Sequence, residues 1–132
     1  MGCDIHLFVE QFRGNKWVAR QPPNHGWKRQ PYEWPVDRNY HMFSFLADVR
    51  SYPGSPQPLA EARGMPVDCS KVVVREVQRW AGDGHNHSHF TLEELRACDR
   101  ISDDYLPDLT QLIYDLGGLG KLPVRIVFWF DN

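Results

Sequence analysis

Cys3-Asp4-Ile5-His6-Leu7-Phe8-Val9-Glu10 alternates with a period of two. Cys3, Ile5, Leu7 and Val9 fall on one side of an extended chain, and Asp4, His6, Phe8 and Glu10 on the other, the pattern of a β-strand. Arg13-Gly14-Asn15 reads as a turn and residues 16–19 as the returning strand of a hairpin. A matching strand stands near the other end. There Val124, Ile126, Phe128 and Phe130 share one face, and Arg125, Val127 and Trp129 the other. Between these strands the apolar spacing turns helical. Asn39 caps a segment with Met42, Phe43, Leu46 and Val49 at helical positions. Ser70 caps another, with Val73, Val74, Val77 and Trp80 inward and Gly82 ending it. Thr91 and Glu94 form a capping box, with Phe90 and Leu95 at the staple positions. A last helix spans about residues 107–116, with Leu109, Leu112, Ile113 and Leu116 inward. The fold expected is α+β: a small, mainly antiparallel sheet made of an N-terminal hairpin and a C-terminal strand, covered by helices on one face. Two long proline-rich loops interrupt it. Residues 20–38 carry Pro22, Pro23, Pro31 and Pro35, and residues 51–68 carry Pro53, Pro56, Pro58 and Pro66.

At 132 residues the chain has the length of one domain. With 42% hydrophobic residues it can build a core without metal or disulfide. Its net charge of −2 argues against a nucleic-acid polymer as partner, which needs a basic face. A small nucleotide needs only one or two cations and stays open. Cys3, Cys69 and Cys98 are odd in number and widely spaced, as expected of reduced cytosolic thiols. No apolar run is long enough to span a membrane, and the opening residues lack an apolar signal core.

The stretch richest in chemistry is Asp83-Gly-His-Asn-His-Ser-His-Phe-Thr91. It sets His85, His87 and His89 at alternate positions directly before a helix start. Imidazole is suited to proton transfer near neutral pH and to metal ligation. Asp4 and His6, two apart on one strand face, offer a second half-site. Together Asp4, His6, His85 and His87 make a mixed carboxylate and imidazole set that suits zinc, manganese or iron. Without metal, the same side chains can act as general acid and base on a phosphodiester. The free amides at Thr91 to Glu93 offer an anion site. Trp27, Tyr32 and Trp34, with Arg20, Lys28, Arg29 and Arg38, suggest a wall that stacks a base and pairs with phosphate. Tyr40, Arg50, Arg63 and Arg125 complete the candidate ligand set. Alternatively the aromatics pin the long loop, the arginines pair with nearby carboxylates, and Asp131-Asn132 either ends the chain in solvent or reaches the strand-end site.

The opening Met1-Gly-Cys-Asp-Ile-His6 resembles that of a family of small uncharacterised proteins of bacteriophages and bacteria. The likeness extends over Arg38-Asn39-Tyr40 through Leu46-Ala-Asp-Val-Arg50, Arg63-Gly-Met-Pro-Val-Asp68, Asp83-Gly-His-Asn-His87 through Leu95, and Val124 through Asn132. The family pattern has Ser-Trp where this chain has Ser88-His89-Phe90, which takes His89 out of the candidate set. The resemblance implies a phage origin and the cytoplasm of the infected bacterial cell. By analogy with other small phage proteins it also implies antagonism of host defence. The expected activity is therefore hydrolysis of a cyclic nucleotide immune signal by His85, His87, His6 and Asp4, with or without a divalent metal. A non-catalytic sponge for a cyclic dinucleotide or cyclic ADP-ribose type of signal is the alternative, and a protein-binding inhibitor a third. Such pockets are often completed between subunits, which leaves a homo-oligomer open.

Overall fold

A computed structural model describes residues 2–24 and 28–132. The elements run β1 (Asp4–Arg13), β2 (Lys16–Arg20), β3 (Glu33–Trp34), α1 (Tyr40–Ala47), α2 (Lys71–Arg79), β4 (Gly84–Thr91), α3 (Leu92–Ala97), α4 (Pro107–Gly117) and β5 (Val124–Asp131). All strand pairs are antiparallel, in the order β2-β1-β5-β4, and the short β3 joins β1 beside β2. The expected α+β class with a small antiparallel sheet is what the chain adopts.

The expected caps form. Asn39 and Ser70 accept from Met42 N and Val73 N, and Thr91 with Glu94 completes a reciprocal capping box. Pro107 occupies the first turn of α4, where its missing N–H costs nothing. Among the described residues, the two proline-rich segments hold β3 and the last residue of β2 as their only strand or helix residues.

Three expectations need correction. The histidine stretch, placed by the sequence directly before a helix start and given no structure of its own, is itself a strand, β4. Gly and three His make poor strand formers in isolation, but pairing with the very apolar β5 decides the outcome. The helices also cover both faces of the sheet. Ile5, Leu7, Val9, Ile126, Phe128 and Phe130 pack with α1, α3 and α4. On the other face Phe8, Val127 and Trp129 pack with Val73 of α2, backed by Val77 and Trp80. A strand buried on both faces reads as a continuous apolar run, and β5 is buried from Val124 to Phe130. Finally, Val74 faces outward. On α2 the buried positions are Val73 and Glu76, three apart on one helical side.

The α2 face is fastened by ions. Arg125, buried, donates from Nε to Glu10 Oε1 at 2.8 Å, and Nη1 lies 3.1 Å from Asp68 Oδ1. Glu10 Oε2 accepts from the amide of Ser70, the α2 cap, at 2.6 Å. The start of α2 is thereby tied to the middle of the sheet.

Candidate functional site

Register decides where the chemistry gathers. Asp4 of β1 and Gly84 of β4 both lie opposite Asp131 of β5, and His6 lies opposite Trp129. The two predicted half-sites therefore flank one strand, at the same end of the sheet. Tyr40, Arg38 and Arg50 join them there. Tyr40 Oη accepts from Cys3 N at 3.0 Å. Arg38 binds both carboxylate oxygens of Asp4 at 3.0 Å, and Arg50 lies 5.5 Å over the Tyr40 ring. A side chain at Gly2 would collide with the Arg38 guanidinium.

His6 is the most elaborated residue of this group. It is buried on the α2 face, its ring 4.3 Å from Trp80 and 5.8 Å from Trp129. Nδ1 donates to Glu33 Oε2 at 3.0 Å, and Nε2 donates to Asp131. Lys28 Nζ stands 2.8 Å from the same Glu33 oxygen. Burial opposes charge on His6, but the bonds to Glu33 and Asp131 outweigh it and raise the imidazole pKa. Glu33 mirrors this: burial is overcome by bonds from His6 and Lys28, and its pKa falls. Both shifts favour the ionised pair.

A pH dependence follows. The folded His6 pKa lies above the ordinary 6.5, so its contribution is complete below that value and fades as pH rises through the folded pKa. Glu33 contributes above its ordinary 4.5, and that share is lost as pH falls through its depressed folded value. The wild type should therefore lose thermal stability above neutrality, and His6→Asn should flatten that alkaline limb. Melting curves across the pH range, with no difference between the two proteins in slope, would refute the assignment.

His87 has the opposite character. It stacks on the other flank of Trp129, with centroids 6.0 Å apart. Burial, then the neighbouring His85, lowers its pKa and keeps it neutral. Trp129 between the two histidines is fully buried, and its indole N–H has no partner among the described residues. Gly84 keeps space beside it. A Cβ there would stand 3.1 Å from Trp129 Cδ1 and 3.3 Å from His87 Nε2.

His85 departs from the expected alternation. The β4 register shifts between His85 and Ser88, with Asn86 in left-handed backbone at φ 53°. The bulge turns His85 to the α1 face beside Phe130, while His87 takes the α2 face. His85 is bracketed by the amide oxygens of Asn86 and Asn132. Asn86 in turn donates to Ala47 O at 3.1 Å, next to Asp48 and Arg50, which are also left-handed. Among the described residues, four non-glycine residues have positive φ: Asn15 in the hairpin turn, Asp48 as the left-handed C-cap of α1, and Arg50 and Asn86, which stand at this end of the sheet. Backbone strain of this kind concentrates at working sites.

Other candidates lie elsewhere. Asp4, His6, His85 and His87 do not converge as metal ligands: among the described residues no three His, Cys, Asp or Glu side chains are placed to hold one ion. Asp4 is engaged by Arg38, both His6 nitrogens are taken by carboxylates, and His85 is on the opposite face. Thr91 is a cap and not an anion site. Its amide donates to Glu94 Oε1, and the first turn of α3 carries Glu93 and Glu94, whose charge repels an anion. Arg63 pairs with Glu94 at 2.6 Å and lies over Phe90. That bond, against the opposing effect of burial, holds the Glu94 carboxyl at about 2. Arg125 serves Glu10 and Asp68. Trp34 is buried, and its Nε1 donates to Arg20 O at 2.9 Å, so it pins the loop. Trp27 lies outside the described residues. Asp131 and Asn132 do reach the site, through His6 and His85. Glu33, Trp80 and Trp129 were not anticipated as site residues. Trp129 carried a signal, an aromatic on the second face of a strand whose first face was already apolar.

No family model, curated protein or solved structure matches the chain. No helix is long and apolar enough to cross a membrane.

Proposed function

We propose that this protein hydrolyses a phosphate-containing small molecule of the nucleotide class at the Asp131 end of the sheet. One observation carries the reading. His6 and His87 flank a single indole on one sheet face, and their surroundings push their protonation in opposite directions. Groups whose pKa values are driven apart in one site are the natural acid and base. Neutral His87 takes a proton from a water molecule as the water oxygen bonds to phosphorus and the bond from phosphorus to the leaving oxygen breaks. The leaving oxygen gains a proton from the His6 imidazolium through Asp131. Arg38, paired with Asp4, and Arg50, over the Tyr40 ring, stand at the rim of this end of the sheet. A cyclic nucleotide immune signal in an infected cell is the substrate class this reading favours.

A second reading has its own support. Both His6 nitrogens and both His85 nitrogens are already engaged, which suits a sponge that binds such a signal intact. One experiment separates the two. The protein is mixed with cyclic dinucleotides and cyclic ADP-ribose isomers, filtered, then heat-denatured, and both fractions are resolved by chromatography with mass detection. A linearised product supports hydrolysis. A ligand that leaves the filtrate and returns intact on heating supports sequestration. If every compound stays free and intact, both readings fail for this panel.

A further inference from the structure

At the opposite end of the sheet a cleft of about 660 Å³ opens between Trp17 of β2, the first turns of α3 and the turn after α4. That volume is within the range of small-ligand sites, roughly 300–1,000 Å³. Its apolar lining comes from Trp17, Leu92, Leu122 and Val124. Two cations border it, Arg96 and Lys121, against one carboxylate, Glu93. Neither cation has an ion-pair partner among the described residues.

The wall that carries Lys121 is Gly117-Gly118-Leu119-Gly120-Lys121. Gly120 is left-handed at φ 98°. No hydrogen bond among the described residues engages the amides of Gly120 or Lys121. Successive free amides at such a turn form a concavity that favours anions. Gly117 lets Arg96 lie against the turn: a Cβ there would stand 2.9 Å from Arg96 Nη2. The turn is also held in place. Gln11 Nε2 donates to Leu119 O at 3.0 Å, and Phe12 N donates to Pro123 O at 2.9 Å. Trp17 is braced as well, with Arg125 4.0 Å over its ring and Phe12 packed edge-on. An aromatic wall, two unpaired cations and free turn amides thus surround one preformed space.

The geometry points to a second ligand site here, for an aromatic anion of nucleoside monophosphate type. The base stacks on Trp17, and the phosphate lies among Arg96, Lys121 and the turn amides. Neither His6 nor His87 takes part, so the inference stands apart from the chemistry proposed at the other end.

The test is titration of the intact protein with AMP, with adenosine and inorganic phosphate as its two halves, read by the indole and arginine side-chain signals in nitrogen-correlated NMR. The expected result is saturable AMP binding that shifts Trp17 and Arg96, with each half binding more weakly than AMP. Arg96→Gln with Lys121→Gln should weaken AMP by about tenfold or more. Trp17→Leu should weaken it comparably, and His87→Ala should leave it unchanged. All four positions are at least partly exposed, and circular dichroism confirms that each variant is folded. No saturable binding, phosphate binding as tightly as AMP, indifference to the paired substitution, or shifts at Trp129 in place of Trp17 would each overturn the assignment. None of these outcomes bears on turnover of cyclic nucleotides.

Discussion

Alanine at His87 is expected to lower turnover by about 10²–10⁴-fold, the range a positioned general base contributes. The fold should survive, because the His87 side chain is only partly buried and makes no hydrogen bond among the described residues, while its backbone carbonyl, which accepts from Gly64 N, is kept in the variant. His85→Ala is the informative control. It sits nearby in sequence but on the other face of the sheet, so its loss should cost much less. The measurement is the initial rate of product formation with whichever cyclic nucleotide is cleaved. Its pH profile should show an acidic limb set by a base of lowered pKa, in keeping with burial of His87. Equal losses in the two variants, or an unchanged rate in the His87 variant, would remove His87 from the role of base. His6→Ala is a poorer probe, since it strips Glu33 and Asp131 of their shared partner and disturbs stability as well.

The second large effect concerns the far end of the same face. Replacing Arg125 with leucine leaves the Glu10 carboxylate fully buried, with the Ser70 amide as its remaining donor. Breaking a buried pair on one side costs about 3–5 kcal/mol. For a domain of this length that amounts to a fall of roughly 10–15 °C in melting temperature. The paired change Arg125→Met with Glu10→Gln should cost far less. It removes both charges and keeps an acceptor for the Ser70 N–H, and swaps of complete buried pairs for neutral groups are often close to neutral. Thermal melts of the two proteins decide the matter. If the double variant is as damaged as the single one, the attraction itself, and not the stranded carboxylate, governs the cost. The half-buried thiol of Cys69 lies in the same pocket of charge. Burial first, then Glu10, pushes it up to about 11, so it should resist alkylation in the folded wild type.

Much of this architecture was legible because it is local. The period-two runs from Cys3 to Glu10 and from Val124 to Phe130, and the caps at Asn39, Ser70 and Thr91, act within a few residues and meet no competitor. β4 was illegible for the opposite reason. Gly84-His-Asn-His-Ser-His has no strand propensity of its own, and only the apolar edge of β5 makes it one. The candidate site divides along the same line. Residue type alone drew attention to Asp4, His6, His85 and His87, and pairing register then brought their strands together. The division of labour among them was not readable. It depends on a single bulge at Asn86 and on Glu33, a carboxylate from a two-residue strand, meeting His6 across 27 positions.

The central position of β5 has a consequence for how the molecule comes into being. β1 cannot join β4 except through this strand, which is the last element of the described chain. His6 and Asp131, 125 positions apart, touch only when it docks. The β1–β2 hairpin and the capped helices need only local contacts, so they can form transiently before β5 docks. Both cores and the histidine cluster must wait for one late strand insertion, a long-range closure of the kind that folds in milliseconds to seconds and not in microseconds. During synthesis the inner edge of β1 therefore stands open until β5 has been made.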